Sequence, residues 1–314
     1  MRLRVTQLRW EAADVVSLVL RGVDGDRLPP WEPGAHVAVT LPSGLVRQYS
    51  LCGSVDDPFA YTIAVLLVGD GRGGSREIHE RLRVGEVLQV GEPRNNFALT
   101  EAPQYLFLAG GVGITPILSM VESLMAQPDP PPWRLLYGGR SRAAMAFVDR
   151  LAPLDGVDVV PEDEAGVPDI AGALAASPPG TAVYCCGPPA MLAAADAACA
   201  RHPELTLHVE RFSAAAGAPV TTAGDGAFEV ELARTGITVT VPEDMSVLDA
   251  VLAVDPEVAF SCAAGFCGTC ETKVLSGTVD HRDDLLSADE RNTNTTMMIC
   301  VSRSRGGGKL TLDL

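Results

Sequence analysis

Three cysteines fall within nine residues, at Cys262, Cys267 and Cys270, and a fourth, Cys300, follows thirty positions after Cys270. No other feature limits so strongly what this chain can fold into. A C-x4-C-x2-C triplet with one distant partner is the plant-type spacing, in which four thiolates hold the two irons of a [2Fe–2S] cluster. Gly265 and Gly268 lie inside the triplet. Without Cβ atoms they let the backbone turn tightly around a small anion and aim amide N–H groups at its sulfurs. A zinc knuckle and a pair of disulfides are the competing readings. Zinc ligands recur as two short pairs, whereas here one crowded triplet stands with one residue far off. The sequence therefore predicts metal ligands at Cys262, Cys267, Cys270 and Cys300.

A chain of 314 residues is too long for one ordinary domain, so two or three are expected. Its net charge of −16 argues against nucleic acid or an anionic membrane as a partner. The last 88 residues alone carry −7, which suits a basic docking patch on a protein partner; plain solubility is the competing reading. Residues 1–20 carry Arg2, Arg4, Arg9, Glu11 and Asp14, so no secretory apolar stretch is expected there. No run of eighteen apolar residues occurs, and no membrane span is expected. Cys52, Cys185, Cys186 and Cys199 show no disulfide pattern, which fits a reduced, cytoplasmic setting.

Residues 1–102 read as strands. The stretches 3–5, 15–20, 36–41 and 61–66 are β-rich, and turn clusters at 24–26, 29–30, 33–34 and 42–44 separate them. Many short strands punctuated in this way predict a small antiparallel β-barrel. Arg47-Gln48-Tyr49-Ser50 follows a turn and opens a further strand. The Arg47 fork matches a phosphate, and Tyr49 offers an aromatic face and a hydroxyl, although any strand can carry such a pair. Gly71-Arg72-Gly73-Gly74-Ser75 precedes a short helix over 76–82. Glycines before a helix leave amide N–H groups for an anion, with the helix dipole behind them. Ser75 is expected as N-cap or phosphate ligand, and a plain loop is the competing reading for Gly73 and Gly74. Arg47 and Ser75 on one sheet, aimed at one phosphate, are the joint expectation.

Residues 105–109 form a short apolar strand, followed by Gly110-Gly111-Val112-Gly113-Ile114-Thr115-Pro116 and a helical stretch over 117–122. Strand, glycine turn and helix are the layout of a dinucleotide site at the carboxyl end of a parallel sheet, although the spacing is not G-x-G-x-x-G. Further strands are expected at 133–137, 156–160 and 182–185, the last running into Cys186-Gly187-Pro188-Pro189. Pro189 or Ala190 starts a helix, because proline suits a first turn. Alternating strands and helices predict a doubly wound α/β domain. A lone cysteine such as Cys186 is ordinarily a small core residue. The fixed turn after it, at the sheet edge where ligands sit, favours a cofactor-facing role. No histidine lies close in sequence to make it a nucleophile.

Residues 213–226 are small and turn-rich and read as a flexible linker. Residues 227–314 then read as an α+β unit. A hairpin is expected from 228–232 and 238–241 around Thr235-Gly236, with a helix over 246–252 capped by Ser246. The cysteine loop follows, and the chain closes on a strand at 310–314.

In this order, R-x-Y-S at Arg47, G-R-G-G-S at Gly71, G-G-x-G-x-T-P at Gly110, C-G-P-P at Cys186 and the terminal cysteine pattern resemble the phthalate dioxygenase reductase family. Vanillate demethylase reductase components are close to it. The resemblance covers essentially the whole chain and includes Asp280-His281-Arg282-Asp283 and Cys300-Val301-Ser302-Arg303. It implies a flavin-binding antiparallel β-barrel at 1–102, a nicotinamide-binding doubly wound α/β domain at 103–212, a linker at 213–226 and a β-grasp ferredoxin domain at 227–314. It implies FMN rather than FAD, and NADH. NADPH stays open, because Arg140 and Arg142 follow the second strand of the α/β domain, where arginine can meet a 2′-phosphate.

By match, Arg47 and Ser75 would hold the FMN phosphate, with Arg72 and the amides of Gly73 and Gly74. Gln48, Tyr49 and Ser50 would line the flavin ring, with the strand backbone at Ala64, Val65 and Leu66. Gly110, Gly111 and Gly113 would approach the NADH pyrophosphate. Cys186, Gly187 and Pro188 would meet the nicotinamide. Thr115, beside Pro116, would sit between the two rings. Phe212 would stand beside the flavin, a plain core phenylalanine being the competing reading. Thr115, Cys186 and Phe212 are thus expected at the reacting centre. His281 has no ligand role in the pattern and reads as a structural polar residue.

The implied activity is that of an electron-transfer reductase. Two electrons enter as a hydride from NADH onto FMN and leave singly through the [2Fe–2S] cluster to a terminal oxygenase. A Rieske-type oxygenase is the first choice and a cytochrome P450 the next. A redox-sensing iron–sulfur flavoprotein is the rival from another class, and the complete nicotinamide motifs weigh against it. A free-flavin reductase would not need four cysteines. A monomer is expected.

Overall fold

Hydrophobic patterning changes twice along the chain, from short alternating runs to continuous apolar runs and back, and three main sheets follow from it. The computed structural model describes residues 1–69, 73–212, 225–256, 258–260, 263–265, 268–283 and 285–314. It divides into two compact units, Met1–Arg211 and Phe212–Leu314.

The first unit opens with β1 (Arg2–Ala12), β2 (Val15–Gly22), β3 (His36–Thr40), β4 (Val46–Ser50), β5 (Ala60–Leu66) and β6 (Val87–Val90). They pair antiparallel in the order β4-β3-β6-β1-β2-β5. A bridge between Leu51 and Ile63 joins the two ends of this sheet. A hydrogen bond of 2.9 Å from Cys52 N–H to Thr62 O reinforces it, and the sheet curls into a barrel. Val5, Leu18, Leu20, Val37, Val39, Leu51 and Ile63 fill the interior. Helix α1 (Gly74–Glu80) follows β5 and adds Ile78 to the same core.

Helix α1 starts two residues earlier than the sequence predicts. Its N-cap is Gly73, at φ 85°. Glycine reaches that left-handed turn without a Cβ penalty, so it takes the cap and Ser75 falls inside the first turn. Ser75 is therefore neither the N-cap nor on the sheet that carries Arg47.

The second sheet of this unit comes from β7 (Tyr105–Gly110), α2 (Ile114–Met125), β8 (Trp133–Gly139), α3 (Val148–Leu151) and β9 (Val157–Pro161), continued by α4 (Glu162–Ala165), α5 (Ile170–Ala175), β10 (Ala182–Cys186), α6 (Pro189–Cys199) and β11 (Thr206–Glu210). All five strands are parallel, in the order β11-β10-β7-β8-β9. Strand β7 is buried along its whole length. Tyr105, Phe107 and Ala109 enter one core, and Leu106 and Leu108 enter the other. The chain runs outward from β7 to β9 and then returns to place β10 on the far side of β7. That reversal puts a topological switch point, the usual ligand crevice, at the carboxyl ends of β7 and β10.

The second unit holds β12 (Phe228–Leu232), β13 (Ile237–Val241), α7 (Val247–Leu252), β14 (Glu271–Ser276), β15 (Val279–Asp280), α8 (Ala288–Thr293), β16 (Thr296–Met298), β17 (Arg303–Ser304) and β18 (Leu310–Leu312). Its main sheet runs β13-β12-β18-β14-β16, with β12 and β18 parallel. Helix α7, capped by the Ser246 hydroxyl accepting from Asp249 N–H, packs Val247, Leu248 and Val251 into the core beneath. Most of the expected linker lies outside the described residues. Its last two positions, however, are anchored. Arg282 makes two hydrogen bonds to the Asp225 carboxylate, at 2.6 and 2.7 Å, and Arg303 donates to Gly226 O at 3.2 Å. Arg303 is almost fully buried and lies 5.0 Å over the Phe228 ring. These bonds fix where the unit begins.

Candidate functional site

Sheet register explains how the distant cysteines meet. Glu271 of β14 faces Met298 of β16, so Cys270, just before β14, and Cys300, just after β16, arrive at one end of the ladder. Ile299 N–H bonds Cys270 O at 3.4 Å, and both thiols are buried in the core of this unit. Cys262 and Cys267 lie outside the described residues. The described part of the loop turns through left-handed φ at Ala263, Gly265 and Gly268. A Cβ on Gly265 would stand 2.7 Å from Val301 Cγ2 and 3.1 Å from Asp283 Cα. At Gly265 the chain thus lies directly on the segments beside Cys300. Asp283 braces this end by accepting from Leu286 N–H at 2.8 Å and from the Ser302 hydroxyl at 3.3 Å.

His281 is enclosed with Nδ1 3.8 Å from Asp283 Oδ1. Neither ring nitrogen has a hydrogen-bond partner among the described residues. Burial, opposed by Asp283, lowers its pKa and holds it neutral. Buried thiols at one sheet end, under a loop bent at glycines, suit a small cluster held by thiolates.

On the barrel, strand periodicity splits the Arg47–Ser50 motif. Arg47 and Tyr49 share one face, opposite Val39 and Val37, and Gln48 and Ser50 share the other. Burial raises the Tyr49 pKa, partly offset by Arg47, so the phenol stays neutral. The Arg47 side chain runs against the start of α1, since a Cβ on Gly74 would sit 2.7 Å from Arg47 Nε. Arg47 therefore meets the turn that holds Gly73, Gly74 and Ser75, although the serine is helical. The Ser75 hydroxyl accepts from Val68 N–H at 3.1 Å, which leaves its own hydrogen to donate. Arg72 lies outside the described residues. Ala64, Val65 and Leu66 end strand β5, with Ala64 and Val65 buried and Leu66 half-buried.

At the switch point the glycines have unequal duties. A Cβ on Gly110 would fall 2.4 Å from Pro188 Cδ, and one on Gly113 would fall 2.2 Å from Cys186 O. These two are needed for the β7 and β10 turns to pack on each other. Gly111, at φ 54°, has open space beside it. A Cβ on Gly187 would also be crowded, 2.7 Å from Met191 Sδ and 3.1 Å from Gly110 Cα. Thr115 is buried and donates to Val112 O at 3.0 Å, next to Pro116 in the first turn of α2. The Cys186 thiol is wholly enclosed, and burial holds its pKa well above the usual value. It is a neutral group packed in the core. Phe212 is 42% exposed, the first residue of the second unit, and so is not a core phenylalanine.

Sequence reading missed Glu210. It ends β11 directly beside Cys186 on β10, and its Oε2 lies 3.4 Å from the Ser50 hydroxyl of the barrel. Burial pushes its pKa up to about 8, with the Ser50 bond opposing. A carboxyl two positions before Phe212, at the end of a strand, was the available signal.

Residues 230–305 match the family of 2Fe-2S iron-sulfur cluster binding domains, and residues 107–157 match the oxidoreductase NAD-binding domain. The chain is 44% identical to the phenoxybenzoate dioxygenase subunit beta of Ectopseudomonas oleovorans, over 99% of this chain and 97% of that one. It superposes on the solved phthalate dioxygenase reductase with a TM-score of 0.74 and 34% identity, covering 100% of this chain and 98% of that one. The chain belongs to the phthalate dioxygenase reductase family. As a family member it is an NAD(P)H-dependent iron–sulfur flavoprotein oxidoreductase, with FMN, a pyridine nucleotide and a [2Fe–2S] cluster as its redox groups. It is also similar to an intact type IV self-sufficient cytochrome P450 monooxygenase. There the TM-score is 0.86 and the identity 42%, over 100% of this chain but 41% of that longer protein. Among the described residues, no helix is long and apolar enough to cross a membrane.

Proposed function

We propose that this reductase takes a hydride from NADH and delivers single electrons to the Rieske centre of a terminal oxygenase. When bound, FMN accepts two electrons together and releases them singly, and the cluster carries one at a time. The chain's own residues bind and orient. Arg47 offers its fork and Ser75 its remaining O–H hydrogen to the flavin phosphate, with Arg72 and the Gly73 and Gly74 amides alongside. Gln48, Tyr49 and Ser50 stand along the ring with the backbone of Ala64, Val65 and Leu66, and the neutral Tyr49 phenol can donate. Gly111 admits the nucleotide pyrophosphate, while Gly110 and Gly113 keep the two turns in register. Gly187 and Pro188 shape the nicotinamide end, with the neutral Cys186 thiol behind. Thr115 belongs to the reacting centre with Cys186 packed behind it, Glu210 stands beside Cys186 as a carboxyl that holds a proton near neutral pH, and Phe212 keeps the aromatic role that the family pattern gives it. Cys262, Cys267, Cys270 and Cys300 hold the cluster.

The observation that carries this reading is the ladder register that brings Cys270 and Cys300 to one end of a ferredoxin-type sheet. Cys300→Ser tests it: cytochrome c reduction by NADH is lost while ferricyanide reduction persists. Loss of both would make the cysteine structural and remove the reading. A P450 as electron acceptor is the second reading, favoured by the likeness to a P450 monooxygenase that contains a segment of this kind. NADH is preferred over NADPH, as the family pattern implies, with Arg140 and Arg142 after β8 the residues that would meet a 2′-phosphate. The ratio of kcat/KM for the two coenzymes checks this. The reductase works as a cytoplasmic monomer.

A further inference from the structure

Helix α1 is strapped along the end of β5 and its continuation by three side chains. Ser75 Oγ accepts from Val68 N–H at 3.1 Å, Arg76 donates to Gly69 O at 2.8 Å, and His79 Nε2 lies 2.9 Å from Val65 O. Ser75 and His79 are four residues apart, so they share one face of the helix. A carbonyl oxygen can only accept, so the last contact requires a hydrogen on His79 Nε2 and fixes the ring's orientation. Ile78 and Leu82 beside it are buried in the barrel core, so the helix cannot slide without breaking that packing. The start of α1 lies against Arg47, and the end of β5 holds Ala64, Val65 and Leu66. One histidine therefore ties the phosphate side of the proposed flavin site to its ring side.

We propose that His79 is a positioning residue of the flavin site. This rests on the flavin placement given above. FMN has a fixed reach between phosphate and ring. Its two ends are held together only while α1 and β5 keep their spacing, and His79 sets that spacing at the ring end. Simultaneous engagement of two subsites multiplies affinity, and loosening their geometry removes the multiplication.

The test uses the full-length protein stripped of flavin, titrated separately with FMN and with riboflavin, which has the ring without the phosphate. His79→Leu removes the donor, and His79→Gln returns an amide N–H near the same place. His79→Leu weakens FMN binding about tenfold, on the scale of one lost hydrogen bond, and riboflavin binding less than about twofold. His79→Gln restores FMN affinity to within about threefold of wild type. An equal loss for both ligands with a lowered Tm would reduce His79 to a structural residue and overturn the proposal, as would no loss for either. A wild-type protein that binds riboflavin as tightly as FMN would instead show that Arg47 and Ser75 do not meet the phosphate, and the underlying site would fall with it.

Discussion

The two units place their redox chemistry in opposite ways. In Phe212–Leu314, three of the four expected cluster ligands fall within nine residues of sequence, and ladder register brings Cys300 to the end of the sheet that holds Cys270. In Met1–Arg211 the proposed site is assembled from strand ends and turns scattered along the chain, and Ser50 meets Glu210 across 160 positions. The difference follows from chemistry. A plant-type cluster takes one particular atom, sulfur, at each of its four ligand positions. A flavin or a nucleotide accepts backbone amides, packing glycines and neutral polar groups, whose identity matters less than their position. A site made of obligatory atoms breaks all at once, and a site made of positions breaks by degrees.

The largest expected effect is therefore at a ligand. Cys300→Ser lowers NADH-driven cytochrome c reduction more than about a hundredfold, leaves ferricyanide reduction within about twofold, and bleaches the cluster absorption. Gly113→Ala comes next. Its Cβ would stand 2.2 Å from Cys186 O, so the β7 and β10 turns must part. Overpacking of this kind costs about 1–3 kcal/mol, and NADH kcat/KM falls about tenfold or more while the cluster spectrum is unchanged. An unchanged kcat/KM would mean that these turns do not shape the nucleotide site.

Asp225→Ala breaks the comparison from the side of stability. The Asp225 carboxylate is mostly buried between Arg282 and Arg303, and removing one partner of such a group costs about 3 kcal/mol. Calorimetry then shows the melting transition of the C-terminal unit lowered, with that of Met1–Arg211 in place. A matching drop in both transitions would show that the two units melt together.

The effect of Glu210→Gln is read only as a change in pH dependence. Burial raises this carboxyl from 4.5 to about 8. Below pH about 4.5 folded and unfolded chains both hold the proton and it contributes nothing to the pH dependence. Between about 4.5 and 8 the unfolded chain releases its proton while the folded chain keeps it, so stability falls as pH rises, and above 8 the loss is complete. Glu210→Gln removes that slope, about 1.4 kcal/mol per pH unit where it is steepest, between pH 5 and 8. Urea melts across that range check the sign. An unaltered pH profile would show that the carboxyl titrates normally.

The same contrast explains what the sequence made legible. The Thr235-Gly236 hairpin and the Ser246 cap are local patterns, and each stands where it was expected. Strand β11 has no apolar run, because Thr206 is exposed and its other residues are only half-buried at the sheet edge, so pattern alone did not mark it. Glu210 was lost with it. Strand β6 is four residues long and is recognisable only through its partners β1 and β3. The early start of α1 turned on which residue could take a left-handed φ, a choice between Gly73 and Ser75 that composition does not decide. Gly110 and Gly113 read as phosphate-approach glycines, yet their contacts are with the turn of β10, which no local window contains.

Anaerobic titration of the purified protein with NADH, followed by visible absorption and EPR, tests the central claim most directly. The account predicts loss of flavin absorption together with the EPR signal of a reduced two-iron centre, the latter absent in Cys300→Ser. Flavin bleaching with no two-iron signal in the wild-type protein would contradict it.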